Sequence, residues 1–113
     1  MATMGFAVAT HTTRYMGVCD WWGRHVWLER DGVREALPYK GEGAPVGFAW
    51  ARRGLGAREL ARSILVDATG SPVLADRLCR EFTLDVVADL PELSFELDQD
   101  EVLSWLAAQH PAD

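Results

Sequence analysis

The chain has 113 residues, 49% of them hydrophobic and 25% charged, with a net charge of −6. That is one domain's length, enough to bury a core without metal or disulfide staples, and too apolar for wholesale disorder. Two widely spaced cysteines, Cys19 and Cys79, make no disulfide framework, and no apolar run approaches the length of a membrane span, so the sequence reads as a cytoplasmic protein with free thiols.

Residues 1–11 read as a flexible N-terminus, with a weak apolar run at Phe6–Ala9 and no basic leader. Residues 12–18 (TTRYMGV) combine β-branched and aromatic side chains and predict a strand. Asp20-Trp21-Trp22-Gly23 forms a hairpin tip, and residues 25–29 (HVWLE) form the returning strand. Asp31-Gly32 is a strong tight-turn signal, after which Val33 to Leu37 runs back antiparallel. A Gly/Pro-punctuated loop follows from Pro38 to Pro45, then a short extended segment, Gly47 to Trp50.

From Ala57 the period changes. Ala57, Leu60, Ala61, Ile64, Leu65 and Ala68 recur three and four apart, the stripe of an amphipathic helix, which Gly70 ends. Ser71 as N-cap and Pro72 at the first helical position begin a second helix that buries Leu74, Leu78 and Phe82 or their neighbours, with Asp76 and Arg80 paired four apart. Leu84, Val86 and Ala88 alternate with Asp85 and Val87 and predict a strand, broken by Pro91. Leu93 to Leu97 is another short extended piece. Asp98 with Glu101 is a capping-box start for a last helix, from Gln99 to about Ala108. The expected fold is α+β: a single domain over residues 12–109, an N-terminal antiparallel β-meander packed with about three helices, and a tail at 110–113. Trp27, Trp50 and Trp105 lie in periodic elements and are expected in the core.

Tyr15-x-Gly17, Asp31-Gly32, Gly47-Phe48-x-Trp50 and Gly54-x-Gly56-Ala57-x-x-Leu60-Ala61-x-x-Ile64-Leu65-x-Asp67 together resemble the pattern of a family of small uncharacterised bacterial and phage domains. Phe82 and Leu90-Pro91 fit the close of that pattern, and the resemblance covers roughly residues 14 to 106. The chain departs from it at Arg52 and Arg53, where the family has small or neutral residues, and at Ala57, near which it has a proline. The resemblance implies a domain of unknown function and carries no activity with it.

Two surfaces are candidates for function. The first is the loop into the first helix. Gly54 and Gly56 would let backbone N–H groups turn toward an anion, and Arg52, Arg53, Arg58 and Arg62 would supply guanidinium groups, so the loop reads as a site for an anionic small molecule or nucleotide. It lacks both the Gly-Lys-Ser/Thr ending of a P-loop and the three-glycine dinucleotide fingerprint. The competing reading is a tight turn whose arginines are solvated or pair with the acidic C-terminal third.

That acidic third is the second surface. Residues 81–113 hold nine acidic side chains and no Lys or Arg, so the first 80 residues carry +3 (eleven basic against eight acidic) and the remainder −9. Such asymmetry disfavours nucleic acid there and fits either a solubilising face or docking on another protein's basic surface. Glu92, Glu96, Asp98, Asp100 and Glu101 are the candidate contacts, with Trp21 and Trp22 as aromatic anchors at the hairpin tip. His11, His25 and His110 are scattered and set no metal spacing, and no Ser or Cys lies in a nucleophile motif. The sequence therefore reads as a non-catalytic interaction module (an inhibitor or adaptor) without metal or cofactor.

Overall fold

A computed structural model describes residues 12–40 and 47–109. The expected flexible N-terminus, the C-terminal tail, His11, His110 and most of the Pro38–Pro45 loop lie outside these residues.

Strands β1 (Thr13–Asp20), β2 (Gly23–Arg30) and β3 (Val33–Ala36) form the expected antiparallel meander. Asp31 and Gly32 both take positive φ, 54° and 84°, the conformation a two-residue hairpin needs to follow the strand twist. The extended piece near Leu93 becomes β4 (Ser94–Asp98), which pairs antiparallel with β1, so the sheet order is β3-β2-β1-β4.

The helices are α1 (Leu55–Thr69), α2 (Pro72–Asp85) and α3 (Gln99–Ala108). Gly70, left-handed at φ 72°, donates its N–H to Val66 O and closes α1. The Ser71 hydroxyl accepts from Leu74 N–H at 3.1 Å and opens α2, with Pro72 at its start. Asp98 and Glu101 form the expected reciprocal capping box on α3.

Alternation along the strands sends Tyr15, Val26, Leu28, Phe95 and Leu97 to one side, where they share a core with Leu60, Ile64, Phe82, Val102 and Leu106 from the helices. Trp50 is fully buried in that core and meets Phe95 edge-on at 5.0 Å between ring centres. Full burial of so large a side chain contributes about 3 kcal/mol. Its segment joins no strand among the described residues. It is tied by Ala49 N–H to Gly56 O at 3.2 Å and Ala51 N–H to Val87 O at 3.0 Å.

Four expectations need correction. The strand at Leu84–Ala88 does not form: Leu84 and Asp85 stay in α2, and Val87–Asp89 is a 3-10 turn. Helical spacing wins over local alternation because Ala75, Cys79, Phe82 and Thr83 already make a continuous buried face, and Val87 adds to the core from the turn. Asp76 does not pair with Arg80 but reaches across to Arg62 Nε on α1 at 2.6 Å, since the sharp Gly70-Ser71 turn brings the two helices together. Trp27 leaves the core because its neighbours Val26 and Leu28 take the inward positions. It lies on the opposite sheet face beside Arg34, whose guanidinium is 5.3 Å from the ring centre. Trp105 is only half-buried, edge-on to Phe82, with its N–H donating to Asp85 at 2.9 Å.

Candidate functional site

The motif residues prove to be architectural. The Tyr15 hydroxyl donates to Asp67 Oδ2 at 2.7 Å and accepts from Gln99 Nε2 at 3.0 Å, while Arg30 Nη2 lies 2.9 Å from the same carboxylate oxygen. Burial, and then the bond to Asp67, push the Tyr15 pKa well above its usual range, which keeps the hydroxyl protonated and suited to donating. At Gly17 an added Cβ would overlap the Phe95 ring, and at Gly56 one would sit 3.0 Å from Ala49 Cβ and 3.1 Å from Gly47 O. These glycines are explained by close packing before any ligand is invoked.

The hairpin tip is a different case. Trp21 and Trp22 are 96% and 87% exposed, so neither folds under the sheet as alternation alone would allow for one of them. Their backbone is nevertheless held. Asp20 Oδ1 accepts from Trp22 N–H at 2.8 Å and lies 3.1 Å from His25 Nε2. The Trp22 N–H, more than the imidazole, holds the Asp20 carboxyl below the usual aspartate pKa. Cys19 N–H donates to Leu93 O at 2.8 Å, which sets a third exposed apolar side chain, Leu93 at 74%, beside the base of the hairpin. In the sequence Leu93 reads only as the start of a short extended piece, with no signal for its exposure.

The acidic residues are divided among several tasks. Glu92 Oε2 lies 3.7 Å from Arg24 and 3.8 Å from Arg52. Arg24 in turn stacks on Trp50 at 4.7 Å, with its Nη1 buried and without a hydrogen-bond partner among the described residues. Glu96 pairs with Arg14 at 3.3 Å. Asp98 and Glu101 cap α3, and Asp100 sits in its first turn, lining a cleft of about 300 Å³ with Thr12, Arg14 and Gln99. The C-terminal third thus does fold back on arginines, through Glu92 and Glu96.

The six predicted loop residues separate. Arg53, Gly54 and Arg58 line one shallow cleft of about 200 Å³. Arg52 turns to Glu92. Arg62 turns to Asp76 and also donates to Lys40 O, and Gly56 packs beneath Ala49. The cleft gains Arg80, Thr83 and Leu84 from α2. Arg80 was hidden from sequence reading by its apparent pairing with Asp76.

Among the described residues no group of three or more His, Cys, Asp or Glu side chains is arranged to hold a metal ion, and no helix is long and apolar enough to cross a membrane. Among the described residues Cys19 and Cys79 form no disulfide, and Cys79 Sγ lies 4.0 Å from Asp76 O.

Residues 15–108 match a family of unknown function, DUF6166, and the chain belongs to that family. No curated protein and no solved structure matches it.

Proposed function

We propose that this member of a family of unknown function is a non-catalytic protein-interaction module that docks through the Trp21-Trp22 turn. The observation that carries the reading is the pair of adjacent tryptophans left in solvent on a backbone fixed by Asp20. Exposed apolar surface of that size is unfavourable unless something covers it, and tryptophan anchors dominate binding energy where they enter a partner's pocket. A turn already held by hydrogen bonds loses little conformational freedom on docking.

The partner fits as a protein with an apolar pocket flanked by basic side chains. Leu93 extends the apolar patch, and Asp20, adjacent in sequence to Trp21, gives it a negative edge. This retains the acidic-face reading in a narrower form, since Glu92, Glu96, Asp98 and Glu101 already have intramolecular partners.

The test is affinity capture from the source cell with wild-type protein and with Trp21→Ser/Trp22→Ser as bait, followed by titration of the purified partner. A partner lost by the double variant, and bound more slowly as salt rises, supports the reading. Recovery of the same partner with equal affinity by both baits rejects the tip. Concentration-dependent self-association that the double variant abolishes would make the partner a second copy of this chain.

A further inference from the structure

Six of the ten arginines (Arg14, Arg24, Arg30, Arg34, Arg52 and Arg62) each lie within 4.0 Å of a carboxylate. Arg53, Arg58, Arg77 and Arg80 have no such partner among the described residues. Three of these four, Arg53, Arg58 and Arg80, converge on one cleft, from the loop before α1, the first turns of α1 and the surface of α2. No carboxylate lines that cleft. In a protein of net charge −6, three exposed arginines from two helices and the loop before one of them make this depression locally positive, which favours an anion there. Two other clefts differ in this respect, because the one beside Gln99 mixes Arg14 with Asp98 and Asp100, and the one on the open sheet face mixes Arg34 with Glu96.

The geometry points to a site for the phosphate group of a small molecule at Arg53, Arg58 and Arg80. A guanidinium presents a planar fork of donors that matches phosphate oxygens two at a time, and three forks suit a dianion with three free oxygens better than a carboxylate with two. The volume, about 200 Å³, is below the usual range for whole drug-sized ligands, so the cleft takes the phosphate and leaves the remainder of the molecule projecting. Gly54, the N-cap of α1, lines the same cleft, and no side chain caps that helix end, which adds favourable potential without being the basis of the assignment. This site is independent of the Trp21-Trp22 turn.

Calorimetric titration of the isolated protein at about 0.15 M ionic strength with inorganic phosphate, AMP and pyrophosphate tests it. Wild-type protein is expected to bind at least one of them saturably, with affinity reduced about tenfold or more in Arg58→Gln and in Arg80→Gln. Arg77→Gln, which removes an unpaired arginine outside the cleft, and Trp21→Ser/Trp22→Ser are expected to bind as wild type does. Ligand should raise the melting temperature of wild type and shift the two cleft variants markedly less, although these lose one of three like charges and stand at least as stable without ligand. Tighter binding of AMP than of phosphate assigns a phosphate ester, and parity assigns free phosphate. The assignment is overturned by absence of saturable binding, by equal loss in Arg77→Gln, or by binding confined to a phosphopeptide or an oligonucleotide.

Discussion

The Tyr15 hydroxyl donates to Asp67 across 52 positions of sequence, joining the central strand β1 to the C-terminal half of α1 at 2.7 Å. Gln99, the first residue of α3, donates to the same hydroxyl, and Arg30 from β2 holds the same carboxylate. One phenol therefore ties together the sheet and two of the helices. A buried hydroxyl with both a donor and an acceptor partner is satisfied, and its removal leaves those partners short.

Tyr15→Phe is expected to cost about 1–3 kcal/mol at neutral pH, the range for losing a hydrogen bond to a charged group. The pH dependence is more specific. The unfolded phenol ionises near pH 10, whereas burial and the Asp67 bond hold the folded one protonated to higher pH. The folded state then binds the extra proton, so its stability contribution is full below about pH 10 and is lost as pH rises toward the folded pKa. Denaturant melts across that range should show stability falling in wild type and a flatter profile in Tyr15→Phe. Equal slopes would place the alkaline-sensitive group elsewhere.

Gly17→Ala should destabilise although it sits in a strand, where alanine is ordinarily the better residue. The Cβ position lies 2.8 Å from Phe95 Cδ2, and Phe95 is itself held edge-on against Trp50. Overpacking of this kind costs about 1–3 kcal/mol. Phe95→Leu in the same chain should recover part of that loss, and the coupling between the two substitutions, measured by a double-mutant cycle, should exceed about 0.5 kcal/mol. Strict additivity would mean that the ring moves aside freely.

These residues also explain how far the sequence could be read. Turn chemistry and caps are local, so Asp31-Gly32, Gly70, Ser71-Pro72 and the Asp98/Glu101 box were all legible. The helix–strand choice at Leu84–Ala88 was not, because five residues satisfy either period, and the buried face that Ala75, Cys79, Phe82 and Thr83 present is made by tertiary contacts, as is the bond from Ala51 N–H to Val87 O across 36 positions. The same limit applies to charge. Arg58 and Arg62 look equivalent on one helix face, yet Arg62 finds Asp76 on α2 while Arg58 finds no carboxylate and lines a cleft with Arg80. Spacing of side chains along one helix says nothing of which neighbouring helix will supply their partners.

Asp20 gives the hairpin tip an acid-sensitive support. Its carboxyl is held below the usual aspartate value chiefly by the Trp22 N–H, so its contribution is present above about pH 4 and is lost as pH falls through the folded pKa. The Trp22 amide resonance should follow that titration in NMR spectra. His25 faces the same carboxylate oxygen at 3.1 Å, and Asp20→Asn keeps the acceptor for Trp22 while removing the charge. The amide of the Asn variant should stay near its native shift and lose its acid titration; an unaltered acid titration would assign the effect to another group.

The two exposed tryptophans should separate stability from binding in a way no core residue can. Trp50, fully buried, is expected to cost about 3–5 kcal/mol on truncation to alanine. Trp21→Ser and Trp22→Ser remove aromatic surface that already faces water, so each should leave unfolding free energy within about 0.5 kcal/mol of wild type. The turn itself survives both changes, since Asp20 accepts from a backbone N–H and not from an indole. Affinity for a partner should behave oppositely, falling about thirtyfold or more for a tryptophan worth 2 kcal/mol or above at an interface. Circular-dichroism melts read the first quantity and titration of the captured partner reads the second. A large loss of stability in either variant would mean that the ring packs against the fold in solution, and the tip would then be scaffold and not a docking anchor.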